Sequence, residues 1–288
     1  MSRTVVNYPI VTALIAAERF IGPNRQWKTV EDPPLSVKQE RFLKEVFDTC
    51  RGEEIPEIES LASQKVEEIN EFLRKKGFSI QLESFSSDAF GVASVLDLIV
   101  EWVLKGEVTV VETDDDRRFP GVRISEGNVH FLRFSEHKEP IACLPTKSGD
   151  RVFMTMFDQP PEGFDLVAEV EKLSHATRLS SEFGGLVFPM VDLNQEVDIS
   201  WLVGLNTTDE VGKFWFVAQA LQQTIFKMNE IGARVQSAVA MAFEKGIPNP
   251  DYIINRPFLI WIERDGISKP LFVGHITQED WRNPGNLR

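Results

Sequence analysis

Residues 252–276 read YIINRPFLIWIERDGISKPLFVGHI, two apolar runs joined through Asp265-Gly266. That pattern is the clearest hairpin signal in the chain. The stretch before it, NEIGARVQSAVAMAFEKGIPNP from Asn229 to Pro250, is of a different kind. Ala233, Val235, Ser237, Val239, Met241 and Phe243 are small or apolar, and Arg234 and Gln236 stand among the alternate positions. Period-two alternation suits a strand with one buried face. Gly246, Pro248 and Pro250 suit an exposed irregular loop. VQSAVAMAFEK also contains good helix formers, so an amphipathic helix fits the same residues.

Working toward the N-terminus, Trp215–Met228 and Leu186–Leu193 read as strands, and PPEGFDLVAEVEKL as a short helix. Strand-like pieces recur at Val152–Phe157, Ile141–Leu144, Val129–Phe134 and Val108–Val111. VASVLDLIVEWVL, β-branched and closed by Lys105-Gly106, is expected to be a central strand. A helix carries Val66, Ile69, Phe72 and Leu73 and stops at Gly77. Ser36 and Gln39 have the spacing of a capping box before a helix whose one face is Phe42, Leu43, Val46, Phe47 and Cys50. RQWKTVED reads as a short strand. Pro9 starts, and Gly22-Pro23 ends, a first helix. Helices come mostly first and strands mostly later, an α+β arrangement.

The 288 residues, 42% hydrophobic, can bury a large core, and the chain is read as one domain over 1–288. A net charge of −13 argues against nucleic acid and anionic membrane surfaces as partners. Two cysteines, Cys50 and Cys143, are too few for a disulfide framework or zinc cluster and read as free thiols. The apolar run after Arg3 lacks the flanks of a signal peptide, so a cytoplasmic or otherwise non-secreted location is expected.

YIINRPFLIWI resembles the C-terminal signature of the serpin family, PLFVGHI its closing strand, and FKMNEIG the hinge before its reactive-centre loop. Further matches run in the family's order. VEEINEFLRKKGFSI resembles helix F and SVLDLIVEWVLKG the strand after it. EPIACLPTKSGDRVFMTMFDQPPEGFDLVAEVEKL and VFPMVDLNQEVDISWLVGLNTTDE are similar to later strands and helices. The resemblance implies a serpin-like fold: three mainly antiparallel β-sheets with surrounding helices and an exposed reactive-centre loop. It implies a pared-down member, because Gly22-Pro23 leads straight to RQWKTVED without the usual two helices, and no segment before helix one supplies the usual first helix. Tyr8 and Val11 stand where the family carries serines, Val100 for its strand asparagine, Gln222 for a histidine and Val108 for a tryptophan.

The function implied is protease inhibition by suicide cleavage, in which the cut loop enters the central sheet as a new strand. The residues suit that role. The hinge runs through Glu230, Gly232, Ala233, Arg234, Val235, Gln236, Ser237 and Ala238, with Gly232 giving backbone freedom. No proline lies between Glu230 and Ile247, so every amide there can join a ladder. Several hydrogen bonds at ~1 kcal/mol each, plus burial, would drive the insertion. The scissile region is Phe243 to Ile247. The family register falls at Gly246-Ile247, Lys245 would suit a trypsin-like protease, and Phe243 a chymotrypsin-like one. The expected partner is a target serine protease, with a cysteine protease as an alternative. The protein is expected to be monomeric, with loop-swapped oligomers as a hazard. The alternative class is a non-inhibitory serpin-fold carrier, chaperone or binding module.

No enzyme constellation competes. His130, His137, His175 and His275 have no metal-ligand spacing. Glu112–Asp116 lacks the spaced ligands and glycine of a calcium loop and reads as a solvated turn. Lys147–Asp150 reads as a turn between strands. No cofactor is expected.

Overall fold

The run from Phe258 to Ile262 becomes a strand buried on both faces, and much of the architecture follows from that. The computed structural model describes residues 1–86, 88–176, 178–231 and 249–287. β16 (Phe258–Glu263) pairs antiparallel with β17 (Phe272–Ile276) and with β8 (Arg151–Met156). Phe258, Ile260 and Ile262 enter the main core. Leu259 and Trp261 enter a second cluster with Leu166, Val170 and Leu173 of α5 (Phe164–Ser174). Successive side chains point to opposite faces, so burial on both requires a continuous apolar run. Beyond β8 lie β7 (Ile141–Pro145), β6 (His130–Arg133) and β9 (Arg178–Ser180), and beyond β17 lies β1 (Arg3–Val5), completing a seven-stranded antiparallel sheet.

A four-stranded sheet has the order β15 (Asp251–Ile253), β10 (Gly185–Pro189), β5 (Arg118–Ile124), β4 (Glu107–Glu112), antiparallel except for β10 with β15. In place of one further large sheet there are separate antiparallel pairs. β2 (Ile58–Ser63) pairs with β3 (Gly91–Leu96), and β11 (Val191–Val197) with β14 (Gln222–Met228). A short ribbon joins β12 (Asn206–Thr208) to β13 (Phe214–Phe216). The helices before these are α1 (Tyr8–Ile21), α2 (Leu35–Phe42), which continues through a π-helical turn at Leu43–Phe47 into α3 (Asp48–Cys50), and α4 (Val66–Lys75). β3 lies between two helices: Ala93 and Val95 pack on Ile69 and Leu73 of α4, and Ser94 meets Thr12 of α1.

Several expectations are corrected. RQWKTVED is no strand, for only Lys28 bridges, to Asn206. Its neighbours are held instead by side chains, Thr207 Oγ1 to the Gln26 carbonyl at 2.8 Å and the Trp27 indole to Glu18 at 3.3 Å. Gln39 forms no capping box. Its fully buried amide meets Val30 N, Trp201 O and Val203 O at 2.9, 2.9 and 3.1 Å, satisfying backbone groups that water does not reach. The run VASVLDLIVEWVL is strand only to Leu96, after which Asp97 N bonds Glu57 O and Trp102 bridges Thr146. The Leu186–Leu193 run is two strands in different sheets, changing over at Met190, whose amide bonds Pro120 O at 2.8 Å. Trp215–Met228 is likewise divided between β13 and β14. β5 falls in a stretch for which the sequence reading gives no strand, and it holds Pro120 and Gly121 within it. A Cβ at Gly121 would come within 2.8 Å of Val111 Cγ2, so the strand needs glycine for close packing.

One cation ties the hairpin to the rest. Arg264 donates to Asp150 Oδ1 and Oδ2 at 2.7 and 3.0 Å, and to Glu57 Oε2 and Oε1 at 2.8 and 2.7 Å. Burial opposes the Asp150 charge, yet hydrogen bonds from Arg264 and Ser148 together outweigh it and hold its pKa below the usual carboxylate range. Replacing Arg264 with Met leaves that carboxylate buried without its partner. The expected loss is about 3 kcal/mol, read as a lower denaturant midpoint.

His275 on β17 sets an acid limit. Its Nε2–H donates to Phe157 O at 2.9 Å, and its buried Nδ1 has no partner. Burial lowers its pKa below 6.5, with Arg3 and the N-terminal ammonium adding to the effect and Phe157 O and Asp158 opposing it. Burial lowers His137 in the same direction. The unfolded chain therefore takes up these protons before the folded one, so this part of stability is complete above the ordinary histidine pKa and declines below it. The melting temperature should fall between about pH 7 and about pH 5, less steeply for His275→Gln.

Candidate functional site

β3 is paired only on its β2 side and β14 only on its β11 side. Their other edges have no strand partner among the described residues, and both strands line a cavity of about 1170 Å³. α1 forms part of the lining through Ala13, Leu14 and Ala17, with Phe226 and Val95 among the apolar residues on the strands. Small residues on α1 leave depth beneath the strands. An unpaired strand edge is a template for another strand, because its N–H and C=O groups have no other regular way to be satisfied.

Beside the cavity lies a cluster of hydroxyls that the sequence reading did not single out, of which Ser94 lines the cavity itself. Thr12 Oγ1 lies 2.5 Å from Ser94 Oγ, and Ser60 Oγ donates to Ser94 Oγ at 2.9 Å. Gln222 Nε2 donates to the Val6 carbonyl at 2.8 Å, joining β14 to the residues before α1. Tyr8, which stands where the family carries a serine, donates to Glu53 Oε2 at 2.5 Å, and burial and that bond keep its phenol protonated. Val11 is fully buried core and Val100 is packed against the core. Hydroxyls at 12, 60 and 94 lie far apart in sequence, so only the pairing of β2 with β3 over α1 could reveal them.

At the hinge end the cleft is tied shut. Trp102 Nε1 donates to Asn229 O at 3.0 Å, and Gly106 N to Glu230 O at 3.1 Å. Lys105 Nζ lies 3.7 Å from Glu230 Oε1. Asn229 is itself anchored, Nδ2 donating to Gly285 O at 2.8 Å and Oδ1 accepting from Ile231 N at 2.8 Å. Val108, which stands where the family carries a tryptophan, is exposed on β4, and the indole at the hinge end is that of Trp102. At the other end the segment after α4 crosses the cleft. Gln223 Oε1 accepts from Ser79 N and Ile80 N at 2.8 and 3.2 Å, and Gln219 Oε1 from Glu83 N at 2.8 Å.

Of the residues singled out for the site, Glu230 lies at the closed end of the cleft. Gly232, Ala233, Arg234, Val235, Gln236, Ser237 and Ala238, and the scissile region Phe243, Lys245, Gly246 and Ile247, lie outside the described residues. Glu112–Asp116 is the turn between β4 and β5, with Asp115 paired to Arg117 at 2.7 Å. Among the described residues no group of three or more His, Cys, Asp or Glu is placed to hold a metal ion.

A family model described as "Serpin (serine protease inhibitor)" matches residues 194–279, from β11 to the end of the hairpin. No curated protein matches the chain by sequence. Among solved structures, Serpin48, a highly specific serpin of the insect Tenebrio molitor, is similar with a TM-score of 0.57 and 13% identity, over 96% of this chain and 92% of that one. SRPN18 from Anopheles gambiae is similar with a TM-score of 0.53 and 13% identity, over 99% and 94%. A thyroxine-binding globulin in complex with thyroxine is similar with a TM-score of 0.54 and 13% identity, over 96% and 92%.

The tie at the hinge end has a measurable weight. Trp102→Phe keeps the ring contact with Phe188, at 5.9 Å, and removes the donor to Asn229 O. A loss of about 1 kcal/mol in the uncleaved protein is expected, measured by denaturant unfolding.

Proposed function

We propose that this chain is a serpin and a protease inhibitor acting by suicide cleavage of its reactive-centre loop, a reading supported by the family model over residues 194–279. The observation that carries the reading is the cleft, where two strand edges face one cavity that ends at Asn229–Ile231, where the loop departs. A segment following β14 directly in the chain would enter antiparallel to it. The residues 233–243 alternate small or apolar with polar at the start and contain no proline, as strand entry between two neighbours demands. Acylation of a target protease at the loop, followed by insertion before deacylation, would leave the protease covalently attached and displaced. Cleavage is placed within Phe243–Ile247, with Lys245 directing a trypsin-like serine protease or Phe243 a chymotrypsin-like one.

A non-inhibitory binding or carrier role is the second reading. It is favoured by Tyr8, Val11 and Gln222, which stand where the family carries serines and a histidine.

Two measurements separate the readings. Mixing the protein with trypsin or chymotrypsin should give a complex that survives denaturing electrophoresis, with mass spectrometry placing the cut within 243–247. Nicking the loop should raise the melting temperature markedly. Turnover of the loop with neither a covalent species nor a gain in melting temperature would support the carrier reading instead.

A further inference from the structure

β9 is the outermost strand of the seven-stranded sheet on the β6 side, and its pairing sets one arginine against another. Phe131, Leu132 and Arg133 of β6 lie opposite Ser180, Leu179 and Arg178 of β9. Directly opposed residues of antiparallel strands point to the same face with Cβ atoms about 5 Å apart, and like charges so placed repel. Alternation puts Ser180 on that same face of β9, beside Arg178.

The chain does not lack acids, with 44 Asp and Glu against 31 Lys and Arg. Yet the pair is compensated on one side only. Arg133 donates from Nη1 to Lys138 O at 2.7 Å and from Nη2 to Glu182. Arg178 is exposed, and its side chain has no hydrogen-bond or ion-pair partner among the described residues. Both arginines line a surface hollow of about 780 Å³, together with His175, just past the end of α5. The His175 ring is likewise without a partner among the described residues, and Glu182 is the one carboxylate they contribute to the lining.

We propose that this hollow is a binding site for a tetrahedral oxyanion, inorganic phosphate or a phosphomonoester, held between Arg178 and Arg133. A dianion there turns the repulsion of two facing guanidiniums into two charge-assisted attractions. Arg133 can serve it while keeping its bonds to Lys138 and Glu182, because a guanidinium carries more N–H donors than those two bonds use. His175 and the Ser180 hydroxyl add neutral donors from a third direction. Phosphate presents acceptor oxygens in more than one plane, which suits donors converging from β6, β9 and the end of α5 better than a flat carboxylate does. The wall is already set: Ser180 Oγ accepts from Glu182 N at 3.4 Å, leaving its O–H to donate, and Ser181 O accepts from Asn249 Nδ2 at 2.8 Å. The site belongs to a different sheet from the cleft, so it stands whichever reading of the cleft holds.

The test titrates the uncleaved protein with inorganic phosphate at constant ionic strength, followed by melting temperature and by calorimetry, beside the variant Arg178→Ala. Because Arg178 is exposed and bonds no neighbour, its truncation leaves the fold intact. Saturating phosphate should raise the wild-type melting temperature by about 3 °C, and Arg178→Ala should bind about tenfold more weakly or worse. Without phosphate the variant should melt no lower than wild type, since one of two facing like charges is gone. Replacing phosphate with O-phosphoserine separates the two sources: tighter binding of the ester assigns the hollow to phosphorylated compounds, weaker binding to the free ion. A thermal gain shared equally by Arg178→Ala would be general exclusion of the salt from the surface and would overturn the site. So would the absence of any wild-type response up to about 10 mM phosphate. A variant that melts clearly lower in phosphate-free buffer would overturn the opposed-charge basis of the assignment.

Discussion

The inner edges of β3 and β14 are the constraint around which the molecule is organised. A strand edge left without a ladder partner carries a row of backbone donors and acceptors beside apolar lining, and such groups are costly to leave unmet. Here the two edges face each other across a cavity of about 1170 Å³ rather than pairing. The rest of the fold keeps them apart and in place. α1 supplies the floor, β2 and β11 hold the outer edges, and side-chain bonds close the two ends. On the proposed function, a strand from the same chain would satisfy both edges at once, which gives insertion its direction.

The frame holding this cleft is the two-sided burial of β16. A hairpin whose residues face two different clusters cannot shift register without exposing one set and burying the other wrongly. Arg264, at the end of that strand, carries the rigidity outward to Asp150 and Glu57, the latter next to the start of β2. The edge of the cleft is thereby referenced to the least deformable part of the core. The ties across the cleft are of another kind. They are mostly neutral hydrogen bonds, donated by Trp102 at one end and accepted by Gln219 and Gln223 at the other, each of modest worth, with the Lys105–Glu230 contact beside them.

How much of this was legible follows from the distance over which each feature is encoded. Phe258–Ile262 and Leu271–Ile276 announce a hairpin because apolarity and turn chemistry are local. α1 and α5 announce themselves by their face periodicity and punctuation. β5 did not, because it carries Pro120 and Gly121, and Val111 and Phe188 crowd that glycine from neighbouring strands distant in sequence. Continuous apolar runs concealed breaks for a related reason. The run through Leu186–Leu193 carries no mark at Met190 that the chain there leaves one sheet for another. Gln39 has the spacing of a cap but spends its amide on three distant backbone groups.

The sequence by itself determined the hairpin, the alternation of the residues after Gly232 and the resemblance to a known fold, because each is a matter of residue order along one strand or turn. Only the tertiary structure decided that the cleft stands open, that the indole of Trp102 lies at its hinge end while Val108 is exposed, and that Asn70, Gln219 and Gln223 all bond the segment between α4 and β3. Asn70 and Gln223 are separated by about half the chain, and neither type has a preference that signals such a bond. Amide side chains take whatever unpaired backbone the packing brings to them, so their partners are set by where helices and strands come to rest and not by their neighbours in sequence.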